Sequence, residues 1–351
     1  MRVWAGCIAV CVSVMAFQGR AEEAAPDEAC FAETLPVVNI ALPSRYRDDS
    51  KTRSDIDEKA NAAVNAALKP VDDFVTDLAR SSNRALRHAA EEDVDKAVAE
   101  ADCVLDRLAS WAAADALSGL DSLGAKMAIP SRIGGMAFAY ALATPLASDD
   151  PKRRAGIEAW LRARAGQTMQ FFDAEAPPRA ARNNLRAWAG LAVTRIGLSL
   201  DDAAMIDWGR TTAELVACSA SDDGSLPLEM ERGDLALHYH WHAIGPLVAT
   251  AALLEPRGAG LFATCDRAIP RAVAFAVAAL AKPELAAAHA GEKQSYSKRN
   301  EKLEAYQAAW IVPYLMYQED PEVRALGQTF DSLSNSKLGG DQALVWGPGK
   351  P

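Results

Sequence analysis

The sequence predicts an all-α protein, best fitted by a closed or partly closed toroid of helix hairpins, and three observations carry that expectation. Beyond residue 55 apolar residues recur at three- and four-residue spacing, rich in Ala and Leu, which is the period of helices with one buried face. Breaks containing Pro, Gly, Asp or Ser divide this pattern into segments of similar length. Alternating patterns are scarce, and Val37-Val38-Asn39-Ile40 is the one short β-like run. Some ten helices on short connections fit a solenoid, a bundle or a toroid. No fixed-period repeat marks a solenoid, whereas a toroid of hairpins needs only similar lengths.

Residues 1–21 read as an export signal. Arg2 precedes the apolar run from Val3 to Phe17, and Gly19-Arg20-Ala21 leaves small residues where a signal peptidase inspects the chain. The run is shorter than the roughly 20 residues that span a bilayer, so the expected product is periplasmic or secreted, with no membrane anchor. Residues 22–351 show no composition shift and are read as one domain.

Along that domain the helical segments fall near 57–67, 70–88, 90–115, 133–144, 153–173, 182–196, 201–217, 230–254, 265–280 and 301–317. The stretch from Lys337 onward, with Gly339-Gly340 and Gly347-Pro348, is irregular. Cys7 and Cys11 leave with the signal. The even remainder, Cys30, Cys103, Cys218 and Cys265, suits disulfides in an oxidising compartment, with Cys30–Cys103 and Cys218–Cys265 as the expected pairing and four buried thiols as the alternative.

The formal charge is −10 at pH 7, and losing Arg2 and Arg20 makes the remainder more acidic by two charges. That balance argues against nucleic acid or an anionic membrane as partner. A polyanionic substrate stays open, because a local cluster of arginines holds carboxylates even on an acidic body.

Three segments carry candidate chemistry. The first, from Leu42 to Arg53, gathers Arg45, Arg47, Lys51 and Arg53 around Tyr46 before the first helix. It reads as a loop that covers an anionic ligand or as a solvated linker. The second, Arg182-Asn183-Asn184-Leu185-Arg186-Ala187-Trp188, opens a helix after Pro177-Pro178. Its asparagines suit either a helix cap or, with Arg186, a sugar carboxylate. The third runs from Leu228 to His242 and holds Arg232, His238, Tyr239, His240 and His242. If it is helical throughout, Arg232 and Tyr239 share a face two turns apart. Metal ligation by the three histidines is the rival reading, disfavoured because a helix puts only His238 and His242 on one side.

A tyrosine beside an arginine suits β-elimination of a uronic acid. The weakly acidic proton at C5 leaves only if the adjacent carboxylate and the developing enolate-like charge are neutralised. A nearby cation also lowers a tyrosine toward service as base and then acid.

On these residues the sequence resembles the mannuronate-specific alginate lyases, polysaccharide lyase family five. Their Asn-Asn-His-Ser-Tyr-Trp signature corresponds to Asn183-Asn184-Leu185-Arg186-Ala187-Trp188. Arg232, Tyr239, His240, Pro246 and Leu247 match their second signature without a gap. Pro43-Ser44-Arg45-Tyr46 resembles the family's lid loop, and Lys337-Leu338-Gly339-Gly340-Asp341 its Arg-Leu-Gly-Gly-Asp tail. The resemblance implies an incomplete (α/α) toroid, an alginate-lyase-like barrel of helix hairpins, that binds an acidic polysaccharide and cleaves it without a cofactor or metal. In it Tyr239 is the acid/base and Asn184 and Arg232 neutralise the carboxylate. Arg45, Tyr46, Arg53, Arg186, Trp188, His240 and His242 are the expected substrate-binding residues. Leu185 stands where the family carries a catalytic histidine, a donor whose loss typically costs about 2.7–4 kcal/mol of barrier. Two expectations follow: a lyase with altered choice of polyuronate, or a catalytically impaired relative that binds an exopolysaccharide.

Overall fold

The computed structural model describes residues 30–298 and 302–347. The expected export signal lies outside them, as does Pro348. Four helix hairpins make up most of the described chain: α1 (Glu58–Ala90) with α2 (Val94–Ala113), α3 (Pro130–Ala143) with α4 (Pro151–Gln170), α5 (Asn184–Leu200) with α6 (Ala203–Ala217), and α7 (Ala236–Leu254) with α8 (Thr264–Ala281). The first helices of the pairs pack on one another in the order α1, α3, α5, α7 and form an inner arc, and their partners form an outer layer. This is the expected incomplete toroid. A short helix, α9 (Ile311–Tyr317), packs on α7, and the C-terminal segment bridges α9 and α1 where the arc is open.

Local sequence sets this arrangement. Asp57, Asp93, Asp150, Asn183 and Asp202 each accept a hydrogen bond from a first-turn amide of the following helix, which satisfies donors that the helix itself leaves unpaired. Inner helices α3, α5 and α7 are buried on nearly every side, as expected for helices enclosed by neighbours. Helices α5 and α6 approach closely because each presents glycine at the crossing. A Cβ at Gly209 would fall 1.9 Å from Thr194 Oγ1, and one at Gly190 would fall 2.7 Å from Thr212 Cγ2.

Proline placement explains one difference from the sequence expectation. The stretches 57–67 and 70–88 form the single helix α1, with Pro70 inside it. Val64, Leu68, Val71, Phe74, Val75 and Leu78 keep an unbroken buried stripe across the proline. Ala66, whose carbonyl loses its amide partner to the proline ring, is exposed, so water can serve it and the usual penalty shrinks.

Two further expectations are corrected. The 230–254 stretch is interrupted: a turn at Pro227–Met230 precedes Arg232, and α7 starts at Ala236 after a 3-10 turn over Gly233–Leu235. Gly233 has φ +55°, which no right-handed helix accommodates. Of the described part of the 301–317 stretch, residues 302–317, only Ile311–Tyr317 is helical, whereas Glu284–Ala290 and Pro321–Gly327 form short helices that the periodicity did not resolve.

Both expected disulfides are present, Cys30–Cys103 and Cys218–Cys265. The first ties the incoming chain to α2, close to where β1 (Asn39–Ile40) pairs in parallel with β2 (Gly119–Leu120). Cys265, Asp266 and Arg267 lie in the left-handed region, so right-handed α8 begins after Arg267.

The irregular tail is held in detail. Strands β3 (Ser334–Asn335) and β4 (Gly340–Asp341) pair antiparallel around a turn in which Gly339 and Gly340 have φ of +92° and +100°, values that favour glycine. Asn83 of α1 reads this turn from both ends of its amide, donating to the Gly339 carbonyl at 2.9 Å and accepting from the Asp341 amide at 2.7 Å. Asn83→Ala leaves both backbone groups unpaired. It is expected to lower unfolding free energy by about 1–3 kcal/mol, read as a reduced denaturation midpoint with an unchanged denaturant slope.

Candidate active site

Arg232 is the hub of the site. Its Nε donates to the Thr52 carbonyl at 3.1 Å, and its Nη2 donates to the Arg53 carbonyl at 2.7 Å and to the Tyr46 hydroxyl at 3.0 Å. The same guanidinium lies over the Tyr239 ring, 3.5 Å from its centroid, and 5.4 Å from that of Tyr46. The Tyr46 and Tyr239 hydroxyls share a hydrogen bond. The loop from Arg45 to Asp57 is itself a small hairpin, closed by a Tyr46–Ile56 bridge and an Arg47-to-Asp55 backbone bond of 3.0 Å. One cation thus fastens that hairpin onto the start of α7. The Arg232–Tyr239 proximity expected from a continuous helix exists, but a bent connection provides it.

Tyr239 does not have the raised acidity expected from its cation. Burial raises it above the ordinary phenol range and Tyr46 adds to the rise, while Arg232 pulls the other way. Desolvation wins, so with the hairpin closed Tyr239 is a neutral phenol.

Asn184 occupies the first position of α5 and is 1% exposed. Its backbone amide donates to Glu229 Oε1 at 2.7 Å and its Nδ2 to Glu229 Oε2 at 2.8 Å. Asn184 Oδ1 is buried without a partner. Burial pushes the Glu229 carboxyl up to about 7, against the bonds from Asn184 and the charge of Arg232. The preceding Asn183 is the helix cap, accepting from the Leu185 amide at 3.0 Å. Leu185 packs with the cluster of Phe171, Phe172 and Ala189, beside Met127 and Trp208.

A cleft of about 560 Å³ opens along the inner arc, lined by Asp72, Trp188, His238, His242 and Lys337 among others, within the size range of ligand sites. His238 and His242 flank Tyr239, with ring centroids 5.4 and 6.4 Å away. Burial, then the charges of His238, Lys337, Arg132 and Arg232, push His242 down to about 3, which keeps it neutral. Trp188 lies 5.3 Å from the His242 ring, and its Nε1 donates to the His242 carbonyl at 3.1 Å. That carbonyl is available because Pro246, four residues on, has no amide to offer it.

Opposite, Arg132 grips Asp72 with two bonds of 3.0 and 2.9 Å, and Lys337 Nζ lies 3.9 Å from the same carboxylate. Burial and the charges of Arg132 and Arg45 bring Lys337 down to about 8, against Asp72.

Of the expected site residues the structure gathers Tyr239, Arg232 and Tyr46, and it places Trp188 and His242 on the cleft wall. Arg45 stands at the base of the hairpin, donating to Asn61 Oδ1 at 3.0 Å. Three expectations are corrected. His240 is fully buried away from the cleft, bonded through Nε2 to the Ala272 carbonyl at 2.9 Å, and burial pushes it down to about 4. Arg186 is engaged on the outer side, donating to the Phe172 carbonyl and to Asp173 at 2.8 and 2.7 Å and lying 5.1 Å from the Trp208 ring. Arg53 contributes its carbonyl, while its residue as a whole is exposed. The three histidines do not converge, and among the described residues no group of three His, Cys, Asp or Glu side chains is arranged to hold a metal. No single described helix is long and apolar enough to cross a membrane.

Glu229, Asp72 and Arg132 were missed from sequence. Glu229 sits beside Glu231 and reads there as a solvated charge. Asp72 and Arg132 lie on different helices, with nothing local to join them.

A family profile described as alginate lyase matches residues 41–286. A polysaccharide lyase of Stenotrophomonas maltophilia (strain K279a) is 31% identical over 321 residues, covering 90% of each chain. An alginate lyase of Pseudomonas syringae pv. syringae (strain B728a) is 28% identical over 323 residues, covering 88% of this chain and 82% of the relative. Among solved structures, alginate lyase A1-III from Sphingomonas species A1 superimposes with a TM-score of 0.71 at 24% identity, covering 91% of this chain and 88% of that one. A tyrosine-to-phenylalanine form of alginate lyase A1-III complexed with tetrasaccharide gives a TM-score of 0.76 at 24% identity, covering 93% and 91%. The structural likeness establishes the fold, and the profile, which spans most of the sequence, together with the first relative establishes the descent: the chain belongs to the alginate lyase family.

Proposed function

We propose that the protein is an exported polysaccharide lyase that cleaves alginate, at mannuronate-containing sites, by β-elimination. The observation that carries this reading is the stack of Arg232 on Tyr239 beneath the Tyr46 hairpin, beside a cleft. A uronate entering the cleft displaces the Tyr46 hydroxyl from Tyr239. This removes one of the influences that raise the phenol and leaves Arg232, which lowers it. Arg232 and Asn184 neutralise the carboxylate. Tyr239, having given its phenolic proton to solvent, takes the proton from C5 as phenolate, the C4–O bond breaks as the C4–C5 double bond forms, and the departing oxygen takes that proton from Tyr239, which returns to phenolate. No water is consumed and no metal is called on. Release into the periplasm or medium follows from the export signal and suits a polymeric substrate.

Leu185 favours a second reading, an exopolysaccharide-binding relative without turnover. Its side chain joins the Phe171–Phe172 cluster and offers no donor where the resemblance puts a histidine. The intact Tyr239, Arg232 and Tyr46 assembly weighs for the enzyme, with His242 as the neighbouring imidazole.

Three outcomes are expected. Purified protein mixed with poly-mannuronate develops the ultraviolet absorbance of an unsaturated uronate, and chelation leaves the rate unchanged; no absorbance with poly-mannuronate, poly-guluronate, poly-glucuronate or hyaluronan, but retained binding, selects the second reading. Tyr239→Phe lowers kcat by at least about 10²-fold, the scale of lost acid–base catalysis, with an unaltered melting profile. Because Tyr239 must lose its proton to act and burial holds it high, kcat rises between about pH 6 and 9; a flat kcat over that range assigns the base to another group.

A further inference from the structure

Glu229 is 1% exposed, and both of its oxygens accept from Asn184. Nδ2 of the Asn184 amide is turned toward Glu229, and Oδ1 is left buried with nothing to accept. For a residue that meets a uronate carboxylate this is the unfavourable orientation, because the carboxylate needs a donor and finds an orphan acceptor near it. A protonated Glu229 reverses the relation. Its O–H can donate to Asn184 Oδ1 once the amide turns over, which satisfies the orphan oxygen and frees both Nδ2 hydrogens.

We propose that Glu229 is a proton-linked positioning residue: it takes up a proton when a uronate carboxylate binds beside Asn184 and Arg232, and thereby turns the Asn184 amide to donate to the substrate. The inference rests on the lyase-type carboxylate site proposed above and adds its proton control.

The electrostatics run the same way. Among the described residues Arg232 is the cation whose charge bears on Glu229, and a substrate carboxylate claims that cation and adds a negative charge of its own. The elements packed around Glu229 supply no replacement. On α5, Arg186 is paired with Asp173. On α7, His240 is neutral against Ala272 and Tyr239 is a neutral phenol. On the 284–290 helix, His289 is engaged with Asp223 at 2.7 Å. With the free carboxyl poised at about 7, loss of its compensation drives protonation. The sign follows: the free form must first be protonated above neutrality, so affinity falls as pH rises through 7. The expected loss is roughly fourfold between about pH 6 and 7.5 for one linked proton, a window below the range in which Lys337 loses charge.

The test uses the full chain carrying Tyr239→Phe, which blocks turnover, and an oligo-mannuronate as probe. Calorimetric titration in buffers of different ionisation enthalpy counts the protons taken up on binding. About half a proton per site is expected near pH 7. With Glu229→Gln added, uptake is lost and affinity stays flat from about pH 6 to 7.5, since glutamine donates to Asn184 Oδ1 at any pH. The infrared carbonyl band of a protonated carboxyl, lost in Glu229→Gln, reports the same titration in the free protein without any ligand. Binding without proton uptake, or uptake that persists in Glu229→Gln, overturns the linkage alone. Failure to bind any polyuronate while the infrared titration remains overturns the lyase reading and the linkage with it. A Glu229 that stays ionised throughout overturns the linkage whatever binds.

Discussion

The site depends on where the positive charge of Arg232 is kept. A mostly enclosed guanidinium is tolerable only if its donors are occupied and its face is covered. The donors are occupied by groups distant in sequence, the carbonyls of Thr52 and Arg53 and the Tyr46 hydroxyl, and the face is covered by the nearby Tyr239 ring. Meeting them brings the hairpin at residues 45–57 onto the N-terminal end of α7. The hairpin is therefore an electrostatic partner of the cation as well as a cover, and any ligand that displaces Tyr46 must supply something the guanidinium accepts in return. A carboxylate does this better than a hydroxyl.

Around that cation the titratable groups are separated by their surroundings. Burial raises Tyr239 and Glu229 and lowers His242 and Lys337. All four are shifted toward their uncharged forms, so the empty cleft carries less charge than its composition implies. Of the arginines near the site, Arg132 is matched by Asp72 and Arg80, on the cleft wall, by Asp77, whereas the guanidinium of Arg232 meets carbonyls and phenols.

Much of this fold could be read from the sequence, because inner and outer helices carry the same three- and four-residue period and aspartates or an asparagine mark their starts. Proline misled once, at Pro70, because breaking a helix at proline assumes that the freed carbonyl has nowhere to turn, and here it faces solvent. Arg232 and Tyr239 were paired correctly for an incorrect reason. Seven residues of helix and a bent turn at Gly233 can place the same two groups in contact, and spacing alone does not tell them apart. Arg186 and His240 were misassigned because a side chain's direction from a helix depends on which neighbours surround it. Asp173 and the Ala272 carbonyl are far off in sequence or carry no signal at all. Glu229 was invisible for the complementary reason, since burial of an acid is a property of the assembled hairpins.

The grip of Asn83 on the Gly339–Asp341 turn has a kinetic meaning. Those partners are 256 and 258 residues apart, and the turn they fix holds Lys337 against the cleft. Contacts of such separation close a very large loop and form late. The wall of the cleft is thus finished only after the hairpins of the arc have stacked, and a partly folded chain, even with Tyr239 and Arg232 already together, lacks a complete groove for a polymer. Possession of a working cleft in this architecture is a report that folding has ended.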